Sequence, residues 1–277
     1  MLNGLVKKVN TDTFTVKTHE GEFDCKVRGK IRNQKINIVV GDKVLIDKFN
    51  CTIEEVLERD NLLLRPPVSN IDVALVVTSI VEPFINLTLL DKLISIITIE
   101  NIEPVIVFTK LDKASKTELQ SIKKLSKYYE SIGIKVFNNK AVRKLKRYLK
   151  GKIVSVCGQT GAGKSTLINK FDKKLNLATN EISKSLGRGK HTTRIVELFE
   201  LDKFYIVDTP GFSQIDINRF DNETIANSFL EFQNTECKYR NCKHINEVGC
   251  KIKERLENGE ILKSRYDNYL QFIRGDN

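Results

Sequence analysis

The chain has 277 residues, of which 40% are apolar and 29% are charged, and its formal net charge is +11. This length suffices for a substantial core and for two or three domains. No apolar run approaches the roughly 18 residues that a membrane-spanning helix needs, and the start lacks the apolar core of a secretory signal. We therefore expect a soluble, cytoplasmic protein with no membrane partner.

The positive charge is concentrated in the middle of the chain. Residues 66–215 hold 24 basic and 14 acidic side chains, whereas the segments on either side are close to neutral. This suits a polyanionic partner such as nucleic acid, although a solvated lysine-rich surface would give the same composition. Residues 140–152 carry seven bases and no acid. We interpret them as an amphipathic helix whose basic face is solvated, in preference to a dedicated RNA contact.

Residues 1–67 have the pattern of a small β domain. Short runs rich in β-branched residues are separated by turn signals, and they predict strands at 5–9, 14–18, 23–27, 39–47 and 51–57. Five short strands favour a closed barrel of the OB-fold type. The consecutive Pro66 and Pro67 should stop any helix or ladder there. From these residues alone, the barrel could equally bind nucleic acid or use its few aromatics as core.

Residues 68–214 change to alternating strands and helices. The continuous apolar runs 71–78 and 105–108 predict buried parallel strands. Asn86 is a candidate N-cap for a helix over 86–99, and Ser115 with Glu118 forms a capping box for a helix that ends near residue 133. This alternation predicts an α/β domain with a mainly parallel sheet.

Residues 152–169 predict a strand, a glycine-rich turn and a helix. The spacing of Gly158, Gly163, Lys164 and Ser165 is that of a phosphate-binding loop, in which backbone N–H groups surround an anion. Lys164 should neutralise the β- and γ-phosphates, and the Ser165 hydroxyl should bind Mg²⁺. The candidate nucleotide-binding residues here are Gly158, Gln159, Thr160, Gly161, Ala162, Gly163, Lys164, Ser165 and Thr166.

Three more candidate nucleotide-binding residues follow the strand at 105–108. Thr109, Lys110 and Asp112 resemble the Asn-Lys-x-Asp motif with which GTPases read guanine, with Thr in place of Asn. A carboxylate at Asp112 can accept both the N1–H and the exocyclic amine of guanine, whereas adenine offers no such pair of donors. The stem of Lys110 should pack along the base and the phosphate loop.

The polar, basic segment 185–194 and the turn from Asp208 to Gly211 are candidate switches. Thr193, less favourably Thr192, should bind Mg²⁺ and the γ-phosphate, with Asp208 holding the Mg²⁺ water shell and the Gly211 N–H contacting the γ-phosphate. Phe212 stands where many GTPases have the glutamine that orients the attacking water. His191 is therefore the candidate catalytic residue in cis, and a contact with RNA or solvent is the alternative.

Residues 215–277 contain a candidate metal site. Cys237, Cys242, His244 and Cys250 supply three thiolates and one imidazole within fourteen residues, a complete tetrahedral set for structural Zn²⁺. The remaining cysteines, Cys25, Cys51 and Cys157, are isolated and are expected to be small buried hydrophobes.

The guanine motif precedes the phosphate loop, which reverses the usual order. Together with the Thr-Thr switch, the Asp208–Gly211 turn, the β domain in front and the Cys/His cluster behind, this order resembles the bacterial ribosome small-subunit-dependent GTPase A family over nearly the whole chain. The resemblance implies GTP hydrolysis stimulated by the small ribosomal subunit, a role in late maturation of that subunit, and a barrel that contacts its rRNA. Thr109 in place of Asn and the lack of a Ser-Ala purine-backing motif after residue 136 depart from the family pattern.

We therefore predict a multidomain protein that binds GTP and GDP and acts as a monomer. Its domains are an OB-fold β-barrel (1–67), an α/β P-loop GTPase domain with circularly permuted motif order (68–214) and a mainly helical zinc-binding domain (215–277). Two alternatives stay open. One is a P-loop ATPase acting on nucleic acid, and the other is an RNA-binding assembly scaffold in which nucleotide only switches affinity.

Overall fold

The computed structural model describes residues 1–29, 36–64, 67–172, 196–201, 203–207 and 216–275. Strands come first, alternating strands and helices follow, and helices come last, as the sequence predicts. Among the described residues, no helix is both long and apolar enough to cross a membrane.

The first five strands close into a barrel. They are β1 (Leu2–Val9), β2 (Phe14–Thr18), β3 (Gly21–Val27), β4 (Lys43–Asp47) and β5 (Thr52–Val56), in the spatial order β1-β2-β3-β5-β4. Fully buried Val6, Val16 and Ile46 fill the interior with their neighbours. A five-stranded barrel in this order has the Greek-key arrangement of the OB-fold, so that prediction is confirmed.

A short hairpin connects the barrel to the next unit. Strand β6 (Leu62–Leu64) pairs antiparallel with β7 (Pro67–Ser69), although the sequence indicated that the prolines stop a ladder. Pro67 is tolerated because it is the first residue of its strand, a position where a missing N–H does not break the ladder. Buried Asp42 joins hairpin to barrel, since its carboxylate accepts bonds from Ser69 Oγ at 2.6 Å and from Arg59 Nε at 2.7 Å.

Six strands form the central sheet. They are β8 (Val73–Ser79), β9 (Glu103–Thr109), β10 (Lys135–Asn138), β11 (Ile153–Cys157), β12 (Leu198–Leu201) and β13 (Phe204–Val207), in the order β10-β9-β8-β11-β13-β12. All neighbouring strands run parallel except the edge pair β12 and β13. The loops after β8, β9, β10 and β11 therefore meet at one edge, where open α/β sheets bind their ligands.

Helices cover both faces of this sheet. They are α1 (Leu87–Ile99), α2 (Lys116–Ser131), α3 (Val142–Leu149) and α4 (Lys164–Phe171). Ala74 and Val76 of β8 pack in one apolar cluster with α1 and α2, whereas Leu75 and Val77 pack in another with α3 and α4. Both predicted caps are confirmed: Asn86 accepts a hydrogen bond from Leu89 N at 2.9 Å, and the Ser115 capping box is complete.

The C-terminal region is helical, with α5 (Asn222–Ser228), α6 (Lys251–Glu257) and α7 (Lys263–Arg274). A buried charge network fixes α7 against α1. Fully buried Arg265 of α7 donates to Asp91 at 2.9 Å and to both carboxylate oxygens of Glu231 at 2.7 and 2.8 Å. Asn268 and Tyr129 each donate to Asp91 at 2.6 Å. Every charge in this network is hydrogen-bonded, which is the condition for tolerating it inside a protein.

Candidate nucleotide site and metal cluster

The phosphate loop lies at the carboxyl edge of the sheet, between β11 and α4. Gly158 has φ +129°, and a Cβ added there would lie 2.0 Å from the Val77 carbonyl oxygen. Gly161 and Gly163 also have positive φ, at +78° and +90°. Only glycine adopts these conformations at low cost, so the predicted spacing produces the tight loop that a phosphate requires.

Lys164 bends back over this loop. Its Nζ donates to the carbonyl oxygens of Gly158 and Gln159, both at 2.8 Å. Burial lowers the pKa of the Lys164 ammonium below its usual 10.5. A bound phosphate would supply a negative charge beside this half-buried ammonium. Ser165, the predicted Mg²⁺ ligand, is buried beside it at the start of α4, and Thr160 and Thr166 are exposed.

The guanine motif follows β9 at the same edge. Buried Thr109 pairs with Ser79 of β8, and its Oγ1 donates to the carbonyl oxygen of Ala162 in the phosphate loop at 2.6 Å. A Cβ added to Gly163 would lie 3.7 Å from this hydroxyl. Thr109 thus joins the two motifs directly, although 53 residues separate it from Ala162. Asp112 stands exposed in the turn just beyond.

The loop after β8 also belongs to this edge, and sequence reasoning missed it. Lys110, which has a positive φ of 57°, donates from Nζ to the carbonyl of Glu82. The neighbouring Pro83 lies 3.5 Å from a Cβ added to Gly161. The pattern of 79–86 carries no recognisable motif, and only its position after a buried strand could have indicated a role.

The segment after β10, where the purine-backing loop is expected, reaches the same edge. Asn139 N donates to the carbonyl of Phe108 at 3.0 Å, and Lys170 of α4 donates to the Asn139 carbonyl at 3.1 Å. Loops after β8, β9, β10 and β11 therefore surround one site. The predicted residues His191, Thr193, Asp208 and Gly211 lie outside the described residues.

The Cys/His cluster is assembled as predicted. The ligand atoms of Cys237, Cys242, His244 and Cys250 all lie within 4.8 Å of one another, and these cysteines are not in disulfides. His244 Nδ1 is 3.6 Å from Cys237 Sγ and 3.4 Å from Cys250 Sγ. Tetrahedral zinc with bonds of roughly 2.3 Å to sulfur and 2.1 Å to nitrogen would separate such atoms by about 3.6 Å. The donor set therefore fits Zn²⁺ and leaves no position for a catalytic water.

Helix α7 supports the cluster from behind. Tyr266 OH donates to the His244 carbonyl at 2.5 Å, and Tyr269 OH donates to the Lys243 carbonyl at 2.6 Å. The rings of His244 and Phe232 pack in a T-shaped arrangement, with their centroids 5.3 Å apart. The apolar stripe of α7 is therefore core, and it holds the cluster in place. The one sequence feature that could have indicated the buried charge network is Arg265, a charged residue among the apolar residues of this helix.

Comparison with known proteins agrees with this architecture. The family model described as RsgA GTPase matches residues 56–218, and the model described as RsgA N-terminal domain matches residues 3–52. The chain is 41% identical over 280 residues to the "Small ribosomal subunit biogenesis GTPase RsgA" of Enterococcus faecalis, covering 98% of this chain and 94% of that protein. It is 44% identical over 283 residues to the protein of the same name from Staphylococcus haemolyticus, covering 98% of this chain and 96% of that protein.

Two solved structures share the fold over nearly their whole length. YjeQ from Thermotoga maritima superimposes with a TM-score of 0.84 at 33% identity, covering 99% of this chain and 97% of that one. YloQ, described as a circularly permuted GTPase, also superimposes with a TM-score of 0.84, at 28% identity, covering 99% of this chain and 94% of that one. The chain therefore belongs to the RsgA GTPase family, and it is a GTP-hydrolysing enzyme with a circularly permuted fold.

Proposed function

We propose that this chain is a Mg²⁺-dependent GTPase that the small ribosomal subunit stimulates and that acts late in maturation of that subunit. The hydrogen bond from Thr109 to Ala162 carries the proposal, because it brings the guanine motif and the phosphate loop to one edge of the sheet. The relatives named for small-subunit biogenesis support the choice of partner. The basic centre of the chain suits that partner's RNA.

Under this proposal, Asp112 reads guanine while the loop backbone and Lys164 hold the phosphates. Mg²⁺ would neutralise charge on the β- and γ-phosphates, and Ser165, Thr193 and Asp208 would hold it with GTP. The proposed nucleotide-binding residues are Thr109, Lys110, Asp112, residues 158–166, Asp208 and Gly211.

The catalytic proposal concerns His191 and Thr193. A phenyl ring at Phe212 can neither accept nor donate a hydrogen bond, so it cannot orient the attacking water. His191 would take over that role, and Thr193 would contact the γ-phosphate. Intrinsic turnover should be slow if His191 is positioned only on the subunit.

The flanking regions would provide the attachment to the subunit. We propose that the barrel contacts rRNA and that one structural Zn²⁺ holds the segment from Cys237 to Cys250. The domain limits are 1–67, 68–214 and 215–277, and the protein acts as a cytoplasmic monomer.

GTP turnover tests the proposal, measured alone, with isolated small subunits and with large subunits. We expect strong stimulation by small subunits only. Equal rates in all three conditions would contradict the proposed partner. ATP in place of GTP should give no stimulated turnover, and stimulated ATP hydrolysis would favour a nucleic-acid-dependent ATPase instead.

His191→Ala tests the catalytic residue. It should remove most of the stimulated turnover at saturating small subunits while leaving GTP affinity unchanged. Glu130→Ala changes an exposed acid of α2, outside the barrel and the nucleotide site, and serves as the control, with stimulated turnover retained. Unchanged stimulated turnover in His191→Ala would exclude His191 from catalysis.

A further inference from the structure

The loop between Cys237 and Cys242 presents an aromatic ring to solvent. Tyr239 is 47% exposed, and its hydroxyl has no hydrogen-bond partner in the part of the chain that the structure describes. The other two tyrosines of this region differ, because Tyr266 and Tyr269 are buried and donate to backbone carbonyls. Support of the metal cluster therefore accounts for those two rings and leaves Tyr239 unexplained.

Basic residues flank this tyrosine along the chain. Lys238, Arg240 and Lys243 are exposed and make no ion pair with any described residue. The Lys238 ammonium lies 5.5 Å from the centroid of the Tyr239 ring. No acid occurs between Cys237 and Asn246. The acid that follows, Glu247, is held by the backbone, since its carboxylate accepts bonds from the N–H groups of Lys243 and Ile245, both at 2.8 Å. On the other side, Glu236 precedes Cys237 and is exposed.

The loop is held in place before any partner arrives. Both of its ends are ligands of the cluster, and Cys242 N donates to the Tyr239 carbonyl at 3.2 Å. The adjacent Lys243 carbonyl is bonded to Tyr269. A ring presented on such a loop loses little conformational entropy when it binds.

Single-stranded nucleic acid binds to exposed aromatic rings that lie among lysine and arginine side chains free of ion pairs. The ring stacks on a nucleobase, and the cations contact phosphates. We propose that Tyr239 stacks on an unpaired base of small-subunit RNA while Lys238, Arg240 and Lys243 contact the flanking phosphates. This inference rests on the proposed function, because that function supplies the RNA. It adds to that function a specific residue, Tyr239, and a specific mode of contact, stacking. The nucleobase must be unpaired, because bases inside a duplex are already stacked on their neighbours.

Binding of variants to isolated small subunits tests the contact. Tyr239→Ala should bind about 5- to 150-fold more weakly, because stacking is worth about 1–3 kcal/mol per base. Tyr239→Phe keeps the ring and should bind within about twofold of the wild type, since the hydroxyl is not required. Val248→Ala changes a side chain that is 78% exposed in the same region and should bind normally. Zinc content equal to that of the wild type would verify that each variant retains the cluster.

A fluorescence experiment identifies the chemistry of the contact. The chain has no tryptophan, so Tyr239→Trp introduces a single tryptophan at the loop tip, which can be excited at wavelengths that tyrosine does not absorb. Its emission should be quenched when protein-free small-subunit RNA is added, whereas Val248→Trp should not respond. Unquenched Tyr239→Trp emission in protein that binds the RNA would overturn the proposal. Weakened binding of Tyr239→Ala to intact subunits without such quenching would overturn it too, in favour of a ribosomal protein as the partner of the ring.

The two proposals fail in distinguishable ways. Wild-type protein that neither binds small subunits nor is stimulated by them would contradict the proposed function. Wild-type protein that binds while Tyr239→Ala binds equally well would contradict only the stacking contact.

Discussion

Thr109 Oγ1 donates a 2.6 Å hydrogen bond to the carbonyl oxygen of Ala162, so the end of β9 is tied to the phosphate loop. Both residues are buried. Thr109, which stands where the resembled motif has Asn, thus links the turn that carries Asp112 to the phosphate loop. We expect the spacing between this turn and the phosphate loop to depend on the Thr109 hydroxyl.

Removing the hydroxyl should therefore loosen the site. Thr109→Val leaves the Ala162 carbonyl without its donor, and an unpaired buried group of this kind costs about 1–3 kcal/mol. We expect a lower free energy of unfolding and about tenfold weaker binding of both GTP and GDP, because the loop must be reordered when nucleotide binds. The preference for GTP over ATP should persist, since Asp112 is intact. Thr109→Ser retains the donor and should restore affinity; a Ser variant as weak as the Val variant would contradict this role of the hydroxyl.

The buried network at Arg265 should dominate the attachment of the C-terminal region. Arg265→Met leaves Asp91 and Glu231 as buried, uncompensated charges, and breaking such a network costs about 3–5 kcal/mol. Arg219→Met is the matched control because Arg219, whose side chain is 48% exposed, pairs with Glu100 near the surface. Its loss should cost less than about 1 kcal/mol. Chemical denaturation measures the free energy of unfolding of both variants. If Arg265→Met loses as little stability as Arg219→Met, the network does not fix α7.

The same network predicts the response to acid. Burial by itself raises the pKa of Glu231, but the charge and hydrogen bonds of Arg265 outweigh it and hold the pKa below the usual 4.5. The folded state thus binds this proton more weakly than the unfolded state, so the stabilisation is present above about pH 4.5 and is lost as the pH falls toward the folded pKa.

Glu231→Gln should therefore flatten the decline in unfolding free energy below pH 4.5. Denaturation at pH 6 and at several values below 4.5 measures this decline. Replacing the exposed Glu257 of α6 with Gln should leave the decline unchanged. A Glu231→Gln variant that follows the wild-type profile would show that Glu231 does not carry the acid sensitivity.

Zinc removal should unfold the segment around Cys237–Cys250, because the loop is too small to hold a core of its own. The purified protein should contain one zinc per chain, and X-ray absorption should show three sulfur ligands and one nitrogen ligand. Chelation should lower the helical content and weaken small-subunit binding. Unchanged helicity and binding after complete chelation would contradict a structural role for the metal.

Local signals predicted much of this molecule. The Asn86 cap and the Ser115 capping box each depend on residues three positions apart. The phosphate loop depends on the spacing of its glycines, lysine and serine within eight residues. Strand β2 (Phe14–Thr18) has the predicted bounds, because turn residues border it on both sides. The cluster of Cys and His ligands is equally local.

Contacts between distant residues could not be predicted. Arg265 and Asp91 are 174 positions apart, and no pattern near either one identifies the other. The bond from Lys110 to Glu82 depends on two loops meeting at one sheet edge, which follows only from the strand order. The β6–β7 hairpin was missed because a proline at the first position of a strand is compatible with pairing.

Calorimetric titration of the free protein with GTP and ATP in Mg²⁺ tests most directly whether Asp112 and Lys164 serve one guanine nucleotide. We expect wild-type protein to take up one GTP and no measurable ATP. Asp112→Asn should lose GTP binding and gain binding of xanthosine triphosphate, because the amide can donate a hydrogen bond to the 2-oxo group that replaces the guanine amine. Equal binding of GTP and ATP by the wild type, or unchanged GTP binding by Asp112→Asn, would contradict the account.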